Sequence, residues 1–293
     1  MTSTDTTAAT IARLADEVAG AVVRIGRDRR GTGVIIDNDT VLTNSHHLRD
    51  QTTTVSFADG TTVDAEVRAA DADGDLVVLD ATTGDRPAVT WGEGADLGLG
   101  AEVFAVGTDP GVGPRVTNGR ISALGREFRG PRGRRIDGAV EHTAPVRRGG
   151  SGGPIVDADG AVVGLSTHRV PGGLYLARPV DERFRERLGR LTAGDDVERP
   201  RLGVALAPPI VARKLRTSVG LPERDGLLVR QVDEGSPAEA AGLAEGDLIV
   251  AAGDAAITSV DELFRALEDA DGSVDLTVVR GADELQISVD LAG

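Results

Sequence analysis

The chain has 293 residues, 40% of them hydrophobic, which is enough for one domain of ordinary size and a small second domain. Its net charge of -15 and its pI near 4.7 argue against nucleic acid or an anionic membrane as a partner. Because it contains no cysteine, disulfides and a thiolate nucleophile are excluded, and covalent chemistry would have to use an oxygen nucleophile such as serine.

The start of the chain, Met1–Thr10, is polar and lacks the basic and apolar regions of a secretion signal. No run of 18 apolar residues occurs anywhere in the sequence. The sequence therefore predicts a protein without a membrane span that is cytoplasmic, or exported if this sequence has lost an export signal.

A short amphipathic helix is predicted near the N-terminus, because apolar residues recur there at intervals of three and four: Ile11, Leu14, Ala15 and Val18. Short runs rich in Val, Ile, Leu and Thr follow, separated by Gly, Asp, Asn and Pro: 21–25, 33–36, 40–43, 53–57, 76–79, 102–106, 155–156 and 161–166. Such spacing indicates a mainly β fold of the barrel or sandwich type.

A helical pattern at 180–191 precedes a polar, acidic stretch that ends in proline, as an interdomain linker would. We divide the chain into an N-terminal helical segment (1–20), a β domain (21–191), a linker (192–200) and a C-terminal domain (201–293). The last domain carries five strand-like runs (202–206, 227–232, 247–251, 274–279 and 285–289) and two helical signals (237–241 and 260–268), so we expect an α+β module.

The most informative segment is Gly149-Gly150-Ser151-Gly152-Gly153-Pro154, which directly precedes an apolar strand. Glycines on both sides of a serine allow a tight turn and bring backbone N–H groups close to a bound carbonyl, which acyl transfer requires. A serine hydroxyl is a weak nucleophile, so this interpretation needs a histidine base and a group that orients it. His46 follows a predicted strand and Asp75 begins another, and the order His, Asp, Ser is that of chymotrypsin-like enzymes.

Five motifs occur in the order found in HtrA (Deg) serine proteases, and on them the chain resembles that family over nearly its full length: Gly31–Ile36, Leu42–His46, Gly74–Leu79, Gly119–Arg126 and the Ser151 loop. The resemblance implies a chymotrypsin-like pair of six-stranded β-barrels followed by one PDZ domain. It implies a serine endopeptidase that cleaves unfolded or misfolded polypeptides in protein quality control. The triad would be His46, Asp75 and Ser151.

Two neighbouring histidines compete for the role of base, and the family motif selects His46, since an apolar residue is usual at the position of His47. If the backbone there is extended, only one of the two side chains can face Ser151. His142 and His168 are interpreted as spectators near the substrate site. The resemblance assigns the oxyanion hole to the N–H groups of Gly149 and Ser151, with Gly150 between them in place of the family's frequent asparagine.

By the same resemblance, the specificity pocket would be formed by residues before the nucleophile loop and by a later strand, namely Arg147, Arg148, Ser166, Thr167 and His168. The two arginines depart from the family pattern and could instead be surface charges. Five arginines between Arg126 and Arg135 fall where relatives carry activation and sensor loops, and either an acidic effector site or a solvated loop would account for them.

In the PDZ-like domain, a Φ-Gly-Φ turn formed by Leu202, Gly203 and Val204 would receive a peptide C-terminus, with Leu263 and Leu267 either lining the groove or belonging to the core. Relatives assemble as trimers through N-terminal aromatic residues, but 1–20 contains none, so a homotrimer is left open. We expect no metal or other cofactor. A catalytically silent peptide-binding protein on the same fold is the alternative function, whereas an α/β-hydrolase would need the order Ser, Asp, His.

Overall fold

The computed structural model describes residues 3–28, 31–48, 50–71, 74–93, 97–129, 135–170, 172–197, 201–270 and 272–291. The chain divides into two compact units, Met1–Glu198 and Arg199–Gly293. No helix among these residues is long and apolar enough to cross a membrane.

The first unit begins with a helix, α1 (Ser3–Glu17), and continues into a closed six-stranded antiparallel barrel. Its strands pack in the order β1-β2-β3-β6-β5-β4. They are β1 (Val22–Ile25), β2 (Gly31–Asp37), β3 (Thr40–Thr43), β4 (Thr52–Ser56), β5 (Thr62–Asp71) and β6 (Leu76–Asp80).

A second closed barrel of six strands follows, in the order β10-β11-β12-β9-β8-β7. Its strands are β7 (Glu102–Asp109), β8 (Gly113–Arg129), β9 (Arg135–His142), β10 (Pro154–Val156), β11 (Val162–Arg169) and β12 (Tyr175–Pro179). The unit ends in a helix, α2 (Glu182–Ala193), which Asp181 caps at its N-terminus and Gly194 ends in a left-handed conformation.

One hydrophobic cluster joins both barrels to the two helices, with members that include Leu14, Leu42, Phe104, Val156 and Phe184. Burial of large apolar side chains at this junction fixes the barrels against each other. Residues that lie where the barrels meet are therefore held in a defined geometry.

The second unit is a mixed α+β domain built on one antiparallel sheet in the order β13-β14-β15-β17-β18, with β16 paired to β15. Its elements are β13 (Val204–Ala207), α3 (Pro209–Ser218), β14 (Leu227–Val232), α4 (Pro237–Ala240), β15 (Leu248–Ala252), β16 (Ala255–Ala256), α5 (Val260–Glu268), β17 (Ser273–Arg280) and β18 (Asp283–Asp290). Ser236 and Ser259 cap α4 and α5 by accepting a hydrogen bond from the third residue of each helix.

The predicted fold class is confirmed: the first unit contains two six-stranded barrels and the second is a small α+β domain. Four barrel strands, β5, β8, β9 and β12, and the short β16 were not predicted, and three details of the helices also differ from the sequence-based prediction. Helix α1 begins at Ser3 rather than near Thr10, helix α2 runs two residues into the predicted linker, and α3 was not predicted.

Candidate active site

His46 and Asp75 form a close pair at the end of the first barrel. Asp75 is fully buried, and its carboxylate oxygens lie 2.9 and 2.8 Å from Nδ1 of His46. The same carboxylate accepts hydrogen bonds from the backbone N–H of His46, at 3.0 Å, and from Ser45 Oγ, at 3.1 Å. A carboxylate in this position holds the proton of the imidazole on Nδ1, which leaves Nε2 free to act as a base.

The backbone of Asp75 is itself held in an unusual conformation. Its φ of 58° lies in the left-handed region, which aspartate tolerates at a cost of about 1 kcal/mol. The amide of buried Asn44 donates to the Asp75 carbonyl at 2.9 Å, so the Thr-Asn-Ser-His motif contacts Asp75 through three consecutive residues. This contact explains why those residue types stand beside the histidine.

A buried ion pair supports the turn before Asp75. Asp71 is fully buried and accepts a hydrogen bond from Arg187 Nη1 of helix α2, at 2.7 Å, and another from the N–H of Gly74, at 2.6 Å. Arg178 donates to the Gly74 carbonyl, and burial lowers the pKa of Arg178 to about 10, so the side chain stays cationic at neutral pH. The sequence interpretation missed this group.

Ser151 lies in the turn between β9 and β10, beside the first barrel. Its Oγ donates a 2.6 Å hydrogen bond to the carbonyl of Thr167. Among the described residues, no hydrogen bond joins Ser151 Oγ to His46. Thr167 lies at a bulge in the pairing of β11 with β12, between Ser166 and His168, so its carbonyl is available to the hydroxyl.

The peptide groups of the nucleophile loop are largely paired. Gly150 N–H donates to Arg147 O at 2.9 Å, Gly152 N–H to Ser166 O at 2.7 Å and Gly153 N–H to Gly150 O at 3.0 Å. Within the described part of the chain, the N–H groups of Gly149 and Ser151 have no acceptor. These are the two donors that the family resemblance assigns to the oxyanion hole.

The neighbouring histidines take different partners. Residues 45–47 form a 3₁₀ turn, so the extended backbone considered for them is not present, and the two rings lie with centroids 4.1 Å apart. His46 faces Asp75, whereas His47 Nε2 lies 3.0 Å from the Ser151 carbonyl. Burial, and next to it the adjacent His46, lower the pKa of His47 to about 4.

The residues predicted for the specificity pocket separate into two groups. Arg147 and Arg148 are exposed, and Arg147 forms an ion pair with Asp109 of β7. Arg147 also lines a small cavity together with Gly150 and Ser166. Ser166 and Thr167 are buried and contact the nucleophile loop through their backbone groups.

The two remaining histidines also differ from each other. The half-buried His168 packs on Phe128 and lies 6.2 Å from the His46 ring, and burial lowers its pKa. His168 thus lies close enough to the base to contact a bound substrate. His142 is fully buried inside the second barrel and stacks on Tyr175, so it does not belong to a substrate wall.

In the second unit, Leu202, Leu263 and Leu267 are only 2–3% exposed and belong to the hydrophobic core. Gly203 has a φ of 74°, and among the residues whose structure is described the following strand β13 pairs only with β14, which leaves its other edge open. The Φ-Gly-Φ turn therefore leads into an open strand edge, while the two leucines of α5 belong to the same hydrophobic core as Leu202.

The arginine-rich segment can be followed only at its ends, because 130–134 lie outside the described residues. Arg126 forms an ion pair with Glu141 at 3.2 Å. No group of three or more His, Asp or Glu side chains that could hold a metal occurs among the residues with described positions.

Sequence comparisons identify both parts of the chain. The trypsin-like peptidase domain matches residues 31–165 and the PDZ domain matches residues 228–280. The chain is 32% identical over 286 residues to the putative serine protease HhoA of Synechocystis sp., an alignment that covers 91% of this chain and 72% of that protein.

Two further relatives are longer than this chain. Serine protease HTRA1 of Xenopus tropicalis is 30% identical over 88% of this chain and 57% of its own length. A probable periplasmic serine endoprotease DegP-like of Brucella suis is 33% identical over 92% of this chain and 54% of its own length. The chain thus spans little more than half of these two relatives.

Solved structures show the same fold. The HtrA-type protease AlgW with a decapeptide superposes with a TM-score of 0.72 at 24% identity, covering 96% of this chain and 97% of that one. The same protease with a tripeptide gives a TM-score of 0.66 at 26% identity, covering 96% of both chains.

Proposed function

The chain belongs to the HtrA family of trypsin-like serine proteases, and from that premise we propose that it hydrolyses peptide bonds in unfolded or misfolded polypeptides. Its first unit is a trypsin-like peptidase domain and its second a PDZ domain. The observation that carries the proposal is the buried Asp75 carboxylate, which binds His46 Nδ1 beside a serine whose loop has two free N–H groups.

In the proposed reaction, the Ser151 hydroxyl first breaks its hydrogen bond with the Thr167 carbonyl and donates a hydrogen bond to His46 Nε2 instead. His46 takes the proton while Ser151 Oγ attacks the peptide carbonyl, and Asp75 stabilises the imidazolium that forms. The free N–H groups of Gly149 and Ser151 would receive the oxyanion. His46 then gives its proton to the leaving amine, and water releases the acyl group by the same route.

In this scheme, the conformation in which Ser151 donates its hydrogen bond to Thr167 is a resting state. The hydroxyl must rotate before catalysis, and a substrate backbone that pairs with β11 would compete for the Thr167 carbonyl. A requirement for activation follows, because the nucleophile and base are not yet hydrogen-bonded.

We also propose that the PDZ domain captures peptide C-termini. Its open β13 edge can add a peptide strand, and the Gly203 turn at the start of that edge supplies N–H groups for a terminal carboxylate. Capture of this kind could deliver substrates or change the resting state. The cytoplasmic location and the oligomeric state stay predictions from the sequence.

The decisive experiment is cleavage of unfolded β-casein by the wild type and by Ser151→Ala and His46→Ala. Matched controls are Ser122→Ala, whose hydroxyl bonds Glu141 away from the site, and His142→Phe inside the second barrel. We expect the wild type and the two control variants to cleave casein, and Ser151→Ala and His46→Ala not to cleave it. A fluorophosphonate probe should label the same three proteins.

The PDZ assay uses a hydrophobic peptide with a free C-terminus and its C-terminal amide as the control. We expect the free acid to bind and the amide to bind at least tenfold more weakly. No casein cleavage by the wild type, even with the free-acid peptide present, would reject the protease function in favour of a silent peptide-binding protein.

A further inference from the structure

Two carbonyls of the nucleophile loop accept hydrogen bonds from side chains of the first barrel. The Gly149 carbonyl accepts from the Arg24 guanidinium at 2.5 Å and from Thr32 Oγ1 at 2.7 Å. The Ser151 carbonyl lies 3.0 Å from His47 Nε2 and accepts from the Thr32 backbone N–H at 3.0 Å. Each carbonyl is therefore held from the opposite barrel by two donors.

Because a peptide group is planar, fixing a carbonyl also fixes the N–H of the next residue. The peptide from Gly149 to Gly150 is held at its carbonyl by Arg24 and at its N–H by Arg147 O. The peptide from Ser151 to Gly152 is held at its carbonyl by His47 and at its N–H by Ser166 O. The two peptide groups that carry the free N–H donors are adjacent to these fixed ones.

We propose that Arg24 and His47 are positioning residues, which hold the Gly149 and Ser151 carbonyls so that the N–H groups of Gly149 and Ser151 point together at a substrate oxyanion. The proposal rests on the protease function proposed above. Neither side chain touches the substrate in this role, since both act through the backbone of the loop.

Arg24 lies within the apolar strand β1 and is only 3% exposed. A guanidinium is permanently charged and is costly to bury unless its N–H groups find acceptors. It donates to Thr32 Oγ1 and to Gly149 O, beside a small cavity that Val106, Val146 and Gly150 help to line. A charge-assisted hydrogen bond away from water is stronger than one between neutral groups, so the carbonyl is held firmly.

His47 is fixed by packing against a glycine. A Cβ on Gly31 would lie 2.6 Å from the His47 ring, so only glycine leaves the ring its place. With a pKa near 4 the ring is neutral at pH 7 and carries one N–H. That proton must be on Nε2, because a carbonyl oxygen can only accept.

The activity test measures kcat and KM for a fluorogenic peptide with Arg24→Met and His47→Leu. We expect kcat to fall about tenfold in each variant with KM unchanged, since each loses one donor to the loop. The affinity for a peptide boronate, which places an oxygen in the oxyanion hole, should fall by the same factor. The affinity for a product peptide should stay within twofold.

Conservative variants distinguish a role of Arg24 and His47 in positioning the loop from a role in folding. Arg24→Lys and His47→Gln each keep an N–H donor at a similar reach, and we expect both to retain at least a third of the wild-type kcat. The control Arg68→Met removes an arginine that pairs with Asp80 at the surface, and His142→Phe removes a buried histidine elsewhere. Both controls should match the wild type at pH 7.5.

A second readout does not need catalysis. In ¹⁵N NMR spectra His47 should be the Nε2–H tautomer and stay neutral down to about pH 5, as its pKa near 4 requires. Amide exchange at Gly150 and Gly152 should accelerate at least tenfold in His47→Leu and Arg24→Met but not in the conservative variants.

The outcomes are distinct. If the wild type cleaves nothing, the protease function fails, and the tautomer and amide exchange then decide whether the two side chains hold the loop. An Nδ1–H tautomer of His47, unchanged exchange in both variants, or equal loss of kcat in His47→Leu and His47→Gln would overturn the positioning role.

Discussion

Gly150 offers the sharpest test of the nucleophile loop as it stands in this structure. A Cβ added at Gly150 would lie 2.4 Å from Val146 Cγ1 and 3.0 Å from the Arg147 carbonyl oxygen. Ordinary contacts of this type begin near 3.4 Å, so Gly150→Ala requires a shift of about 1 Å in the loop or in Val146. Val146 is β-branched and has little rotational freedom with which to move away.

Overpacking of this kind costs typically about 1–3 kcal/mol. If the loop relieves the overlap by moving out of its catalytic geometry, kcat falls about 5- to 150-fold, since about 1.4 kcal/mol corresponds to a factor of ten. We expect KM to change little, because the strain acts on the oxyanion donors rather than on substrate contacts.

The assay compares kcat for a fluorogenic peptide among the wild type, Gly150→Ala, Val146→Ala and the double variant. Val146→Ala alone should stay within about twofold of the wild type, because Val146 is half-buried and loses only part of its packing. In the double variant most of the lost activity should return. Wild-type kcat in Gly150→Ala, or no rescue by Val146→Ala, would refute this conformation of the loop as the catalytic one.

Three further predictions concern the supporting structure. Gly203→Ala should weaken binding of a peptide C-terminus about tenfold, because the added Cβ would lie 2.3 Å from Ser236 Cβ at a φ of 74°. Gly281→Ala, with a φ of 63° and no neighbour within 4 Å, is the control for backbone strain alone, and fluorescence polarisation measures peptide binding by both variants. Burial lowers the pKa of His142 to about 4, below its unfolded value near 6.5, so its neutral form is favoured and this histidine alone should lower stability by about 2 kcal/mol between pH 7 and pH 5. Because the pKa of His47 is also lowered, urea unfolding of His142→Phe should show a loss about 2 kcal/mol smaller than that of the wild type, and an equal loss in both proteins would contradict the prediction. Asp71→Asn should lower the free energy of unfolding by about 2 kcal/mol and reduce kcat, since it leaves Arg187 without its carboxylate partner and disturbs the turn before Asp75. The control Asp80→Asn, at an exposed position, should lower the free energy of unfolding by less than about 0.5 kcal/mol, and similar values for the two variants would contradict the prediction.

Much of the fold could be predicted from the sequence because most strands of the two barrels are short apolar runs bounded by turn residues. The strands β5, β8, β9 and β12 were not predicted. β8 is the clearest case: it is 17 residues long and exposes many polar side chains, so it shows no apolar run.

The candidate site could be predicted as far as residue type and order specify it. His46, Asp75 and Ser151 stand in motifs whose chemistry is specific, and the structure places His46 against Asp75. Nothing in the sequence indicated a role for Arg24 in the site, because a charged residue inside an apolar strand is ordinarily interpreted as facing solvent. In the structure all four residues of β1 are buried. The 3₁₀ turn at residues 45–47 also could not be read from so few residues.

The free edge of β13 has a consequence for handling the protein in concentrated solution. The barrels are closed sheets, but within the described part of the second unit the sheet ends at β13 and β18. β18 carries Asp283, Glu284 and Asp290, and like charges oppose the pairing of two such strands, whereas the Val-Ala-Leu-Ala of β13 has no charge to deter a strand from another molecule. The same edge that would hold a peptide C-terminus is thus also prone to aggregation, and a bound peptide should keep the protein soluble by covering it.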